Sequence, residues 1–223
     1  MVLRAYLFGL ALIGLVGCEQ VTGGITDRAT VTTTPEIATS QGIRTLSLLG
    51  GDVRVRGPEG YCVDQAASDA RRGFAVLAGC VLLTDEIDLL PMLDGLITVQ
   101  FGAEQTASVA DDKEAFACFL NSNAGRELLA VSGDAADLVD VTSQIEDSGV
   151  LVWFKDTSLP AFAGTSGAQW RGFFDINGRL ATVSVLSFDR APLSQSEAER
   201  LLVTAMSELA AVNNNVPSLD EST

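Results

Sequence analysis

No histidine occurs among the 223 residues, and that absence removes more chemistry than any motif in the chain supplies. Ser-His-Asp and Cys-His catalysis, the commonest zinc and haem ligand sets and imidazole-based pH sensing all depend on that side chain. Lysine could serve as the base instead. Only Lys113 and Lys155 are present, however, and Ala110 and Val152 stand where the serine of an S-x-x-K pattern belongs. Gly164-Thr165-Ser166-Gly167 begins like a nucleophile elbow, but Ala168 occupies the place of the last glycine of G-x-S-x-G, so the segment reads as a loop. Carboxylates are plentiful. Asp85, Glu86, Asp88 and Asp94 crowd one stretch without the Asp-x-Asp-x-Asp-Gly order of a calcium loop. Asp111 and Asp112 stand where a helix should begin, a place that stabilises negative charge for structural reasons. Both clusters read as solvated faces. No Gly-rich turn leads from a strand into a helix, so neither nucleotide nor other cofactor is expected. Against this acidic background one basic group stands out: Arg54, Arg56, Arg71 and Arg72. Guanidinium forks suit a carboxylate or phosphate, which makes these four a possible anion-binding set; the plainer reading is that they balance acids on exposed faces.

The remaining reactive side chains are the cysteines at 18, 62, 80 and 118, and the elements around them decide what each can do. Arg4 gives residues 1–4 a positive charge, and residues 5–16 form an apolar run of about a dozen residues, short of the roughly 20 that span a bilayer. Leu15-Val16-Gly17-Cys18 closes the run. This tetrapeptide resembles the lipobox of bacterial lipoproteins, in which a small residue precedes a thiol that accepts diacylglycerol. The resemblance implies cleavage after residue 17 and acylation of Cys18. Acyl chains contribute about 0.8 kcal/mol per buried methylene, so two or three of them hold a protein on a membrane. Glu19 rather than Asp follows the cysteine, which in that family favours the outer over the inner membrane.

The chain then divides into a Thr- and Gly-rich tether over residues 18–41, one domain over 42–213 and a polar tail over 214–223. The tether has no sustained period of 2 or 3.6 and is expected to be flexible, although 29–34 could make an edge strand. The formal charge of −15 becomes more negative once Arg4 leaves with the signal segment. Such a body repels nucleic acid and anionic headgroups. With Cys18 committed to lipid, three cysteines remain. Cys62 and Cys80 can close a strand-turn-strand unit, a bridge worth about 3 kcal/mol in an oxidising compartment. Cys118, between two phenylalanine-bearing turns of a helical segment, is expected to be a buried thiol.

Strands dominate the first part of the domain and a long helix closes it. Val53 and Val55 alternate with Arg54 and Arg56 as a half-buried strand ending at Gly57-Pro58. A short helix is predicted over 64–72, then strands over 74–83 and 96–101, then helices over 111–120 and 124–131, the second stopped near Gly133. The run 150–154 predicts a central strand. Two β-rich runs, 169–176 and 179–188, flank Asn177-Gly178 as a type I′ hairpin. Trp153 and Trp170 fall in strands as packing residues. Ser194 and Glu197 then form an S-x-x-E capping box, and Ala198, Leu201, Leu202, Ala205, Leu209 and Val212 recur at helical spacing. The predicted class is α+β, an antiparallel sheet with helices on one face and a C-terminal hairpin followed by a long helix.

The succession Gly57-Pro58-Glu59-Gly60-Tyr61-Cys62-Val63-Asp64, with the later apolar strand and the hairpin around Asp175 to Gly178, resembles uncharacterised lipoproteins of envelope-bearing bacteria. The order of strands, hairpin and terminal helix is similar to the PsbP-like fold, whose lipoprotein members are accessory envelope proteins. The first likeness implies a family and no known activity; the expectation for function is a non-catalytic protein, lipid-anchored and facing the periplasm, that contacts another envelope protein. The competing expectation is a histidine-free carboxylate hydrolase, or an envelope protein that binds calcium or a small ligand.

Overall fold

A computed structural model of the protein describes residues 42–84 and 90–214. The signal segment with Cys18, the tether, Asp85, Glu86, Asp88 and the tail from Asn215 lie outside the described residues. In chain order the elements are β1 (Thr45–Leu48), β2 (Val53–Arg56), β3 (Tyr61–Asp69), β4 (Phe74–Gly79), α1 (Cys80–Leu83) and β5 (Gly95–Phe101). There follow α2 (Lys113–Asn121), α3 (Asn123–Leu129), β6 (Leu138–Glu146), β7 (Gly149–Asp156), β8 (Thr165–Ile176), β9 (Arg179–Phe188) and α4 (Gln195–Asn214). β1 and β2 pair with each other; the other strands form a seven-stranded antiparallel sheet of order β3-β4-β5-β9-β8-β7-β6. The α+β class and the closing sequence of hairpin and long helix are those read from the sequence.

Local chemistry fixes the two best-marked elements. Asn177 and Gly178 have φ of 50° and 72°, the pair of left-handed positions that a type I′ turn requires, and Ile176 pairs with Arg179 across it. At the start of α4, Ser194 Oγ accepts from the Glu197 N–H at 3.3 Å while the Ser194 N–H donates to Glu197 Oε2 at 2.9 Å, a reciprocal capping box. All six apolar residues of the predicted stripe, from Ala198 to Val212, are buried.

β7 explains the placement of the other helices. Leu151 and Trp153 face one side of the sheet and join the cluster that holds Leu202, Met206 and Leu209 of α4. Val150, Val152 and Phe154 face the other side and pack with Ala117 and Leu120 of α2 and Leu129 of α3. Successive side chains of a strand point in opposite directions, so an unbroken apolar run signals a strand covered on both faces. The expectation of helices on one face thus holds for α4 alone, with α2 and α3 covering the reverse side at one end. β7 is also sixth of the seven strands rather than central; β9 takes the middle position.

Three further expectations change. The segment predicted as a helix over 64–72 is mostly strand, because Val63 and Asp64 pair with Leu77 and Val76 and the ladder overrides helical composition. Only Ala70–Arg72 makes a turn of 3-10 helix, capped by Asp69 and stopped by Gly73 at φ 69°. The strand predicted over 74–83 ends at Gly79, where the chain turns into α1. α3 ends at Leu129 with Ala130 extended, so Gly133 closes a following turn and does not cap the helix. β1 and β6 carry no clear sequence pattern and were not expected. β6 lies at the edge of the sheet and is interrupted by a bulge between Val139 and Thr142, where Asp140 takes φ 57°.

Candidate functional site

Cys62 and Cys80 form the expected disulfide, joining β3 to the first residue of α1. The four arginines near it do not make one site. Arg56 of β2 is tied to Glu208 of α4 at 3.0 Å. Arg72 reaches its own turn cap, Asp69, at 3.5 Å, and Arg71 lies beside it on the same exposed turn. Arg54 contributes its backbone: its N–H donates to Asn213 Oδ1 at 2.9 Å and its carbonyl accepts from Asn213 Nδ2 at 2.8 Å. This division favours charge balance over a shared anion site. Asp112 caps α2 by accepting from the Ala115 N–H, the structural role expected of that acidic pair. Cys118 is exposed rather than buried. The inward stripe of α2 runs through Ala117 and Leu120, and one residue further turns about 100° around the helix, which carries the thiol outside.

The groups that do converge lie on the face opposite α4, between two apolar patches. One patch is the α2-α3 cluster; the other contains Val76, Ala78, Leu96 and Leu186, with Phe162 packed against it. Between them the register aligns Thr98 of β5, Ser184 of β9, Arg171 of β8 and Val152 of β7 in one cross-strand row. Thr98, Ser184 and Arg171, with Gln169, Asp156, Ser158 and Ser166, line a largely enclosed cavity of about 70 Å³. The β7-β8 connection closes it with Pro160, Ala161 and Phe162. Of Gly164-Thr165-Ser166-Gly167, expected as a loop, only Gly164 lies in a turn; Thr165, Ser166 and Gly167 are the bulged start of β8, and Ser166 forms part of the wall. A Cβ at Gly167 would come within 1.9 Å of the Asp156 carbonyl oxygen, so the strand can approach so closely only with glycine.

Arg171 is the centre of this site. Its Nε–H donates to Ser184 Oγ at 3.0 Å, Nη1 to the Leu129 carbonyl at 3.4 Å and Nη2 to Gln169 Oε1 at 3.5 Å. Its guanidinium lies 5.3 Å from the centre of the Phe154 ring. Among the described residues no carboxylate reaches salt-bridge distance of it. Burial lowers its pKa to about 10 and the Asp156 charge opposes the shift, so Arg171 remains a cation at neutral pH. Asp156 is differently employed. Its Oδ2 accepts from the Val131 N–H at 2.8 Å, and its Oδ1 from the Ser158 N–H and Oγ at 2.9 and 2.6 Å. Burial would raise its pKa, but the bonds from Ser158 and Val131 and the charge of Arg171 outweigh burial and hold the carboxyl below its ordinary range. An ionised carboxylate committed to three donors is a poor proton acceptor and a good brace for the loop that closes the cavity.

No protein-family model and no curated protein matches the chain. The site therefore stands on its geometry. Of its residues the sequence marks only Ser166, in the G-x-S-x-G look-alike, although a further signal exists: Gln169, Arg171 and Ser184 share the reverse face of strands whose other face is Trp170, Val183 and Val185. Alternation of this kind reads as a solvated outer face; only the fold shows that the outer face is covered. A second opening, of about 620 Å³, is bordered by Tyr61, Leu90, Met92, Leu93 and Leu201, with Met92 97% exposed.

Proposed function

We propose that the protein is an exported lipoprotein, acylated at Cys18 and facing the periplasm from the outer membrane, whose domain is a non-catalytic binding module with an accessory role beside another envelope protein. The observation that carries the export reading is the Cys62–Cys80 disulfide, because such bridges form and persist in oxidising compartments. It agrees with the Leu15-Val16-Gly17-Cys18 tetrapeptide at the end of a signal-like run. The binding reading is supported by a cavity whose cation has no carboxylate at ion-pair distance among the described residues and whose one carboxylate already accepts three hydrogen bonds. A hydrolase would need a proton acceptor free to titrate, and Asp156 is held away from that role.

The test is metabolic labelling with a radioactive fatty acid in cells making the wild-type chain or Cys18→Ser. Label on the wild type, lost in the variant together with release into the soluble periplasmic fraction, is the expected result. Label retained by Cys18→Ser, or a mature N-terminus elsewhere, overturns the anchor.

A further inference from the structure

We propose that the Arg171 cavity binds a short-chain monocarboxylate, of acetate or propionate size, with the carboxylate on the guanidinium and the alkyl end against Phe162 and Leu186. The inference rests on the reading of the domain as a binding module and is independent of the anchor. Among the described residues each terminal nitrogen of Arg171 makes one bond to protein, and both of those bonds are long, which leaves an N–H on each for an incoming acceptor. A carboxylate matches that pair of donors in a plane, where a spherical ion meets only one direction of the fork. The charge count favours a monoanion. Among the described residues one cation faces the cavity, and the nearby Asp156, though it accepts from Val131 and Ser158, would repel a second negative charge. Size sets the chain length: about 70 Å³ beneath the β7-β8 connection admits a few heavy atoms and excludes a nucleotide or a sugar. The lining is mixed in polarity: Ser184 and Gln169 bond the guanidinium, and Phe162 and Leu186 are among the apolar residues of the wall.

The experiment uses the purified mature protein in detergent, labelled with nitrogen-15, and follows the Arg171 Nε–H resonance. Sodium propionate is titrated at constant ionic strength against sodium chloride, with propionamide as the uncharged isostere. A saturable shift is expected with propionate, and a response at least about tenfold weaker with chloride and with propionamide. Ser166→Asp, which adds a negative charge to the wall, should weaken propionate binding by about tenfold or more, while the same charge placed outside the cavity, Ser196→Asp on the exposed first turn of α4, keeps it within about threefold. No saturable shift in the wild type, or an equal response to propionamide, overturns the proposal. If propionate fails but a small-molecule extract of the envelope moves the same resonance, the ligand class is wrong and the binding reading survives; silence to both removes both.

Discussion

Arg171 and Arg179 stand on the two strands of one hairpin, and the protein treats them in opposite ways. Arg179 Nη2 meets Asp52 Oδ2 and Glu104 Oε1, each at 3.0 Å, and Nη1 donates to the Gly102 carbonyl at 3.2 Å. That one side chain ties the β8-β9 turn to the β1-β2 connection and to the segment after β5. Among the described residues Arg171 has no carboxylate within ion-pair reach; hydroxyl, amide and carbonyl oxygens hold it in place beneath an aromatic ring. A buried charge costs several kcal/mol in desolvation, and a structural ion pair exists to offset that cost. Where the offset is left out beside a cavity, the charge is available to something else.

The comparison can be broken most forcefully at the wall of the cavity. Gly167→Ala drives a methyl group into the Asp156 carbonyl and should cost about 3 kcal/mol or more in urea unfolding, separating β8 from the brace. A loss below about 1 kcal/mol would mean that the wall yields easily. The arginines themselves come next. Arg179→Met should lose about 2 kcal/mol, less than for a fully buried network because Asp52 and Glu104 remain largely in water. Arg171→Met should lose less than Arg179→Met, since the desolvation it relieves offsets part of the cost of the three hydrogen bonds it gives up. Equal losses at the two sites would erase the distinction. The smallest effect is in acid. Because the folded-state pKa of Asp156 lies below its unfolded value, its contribution is fully present above the ordinary carboxylate pKa of about 4 and is lost as pH falls through the lower folded value. Asp156→Asn should flatten that part of the profile of melting temperature against pH. Arg171→Met should flatten it partly, by removing one cause of the depression.

How far the sequence could be read follows from the range of the forces involved. The hairpin at Asn177-Gly178, the capping box at Ser194 and the stripe of α4 depend on neighbours within a few residues, and each is where its pattern put it. The disulfide needed only a plausible strand-turn-strand spacing. The segment from Asp64 has helical composition but is held against β4 at both ends, by Asp64 opposite Val76 and Asp69 opposite Phe74, an interaction that local propensity does not register. Cys118 was misplaced by about one helical step, enough to move a side chain from the core to water. The cavity is the extreme case. Thr98, Asp156, Arg171 and Ser184 come from four strands that are adjacent only in the order β5-β9-β8-β7, and no spacing along the chain brings them together. Arg54, Arg56, Arg71 and Arg72, close in sequence, are by contrast split between an α4 tie, a backbone clasp and an exposed turn.

The kink at Asp140 in the outermost strand reaches beyond the single molecule. Many copies held side by side on a surface would offer one another the open rim of β6, and a straight rim is a template for joining sheets into fibres. A left-handed aspartate near its start breaks the line of amides and plants a charge there, so neighbours find no continuous partner along it. The sheet is thereby kept finite, and encounters between copies are left to side chains.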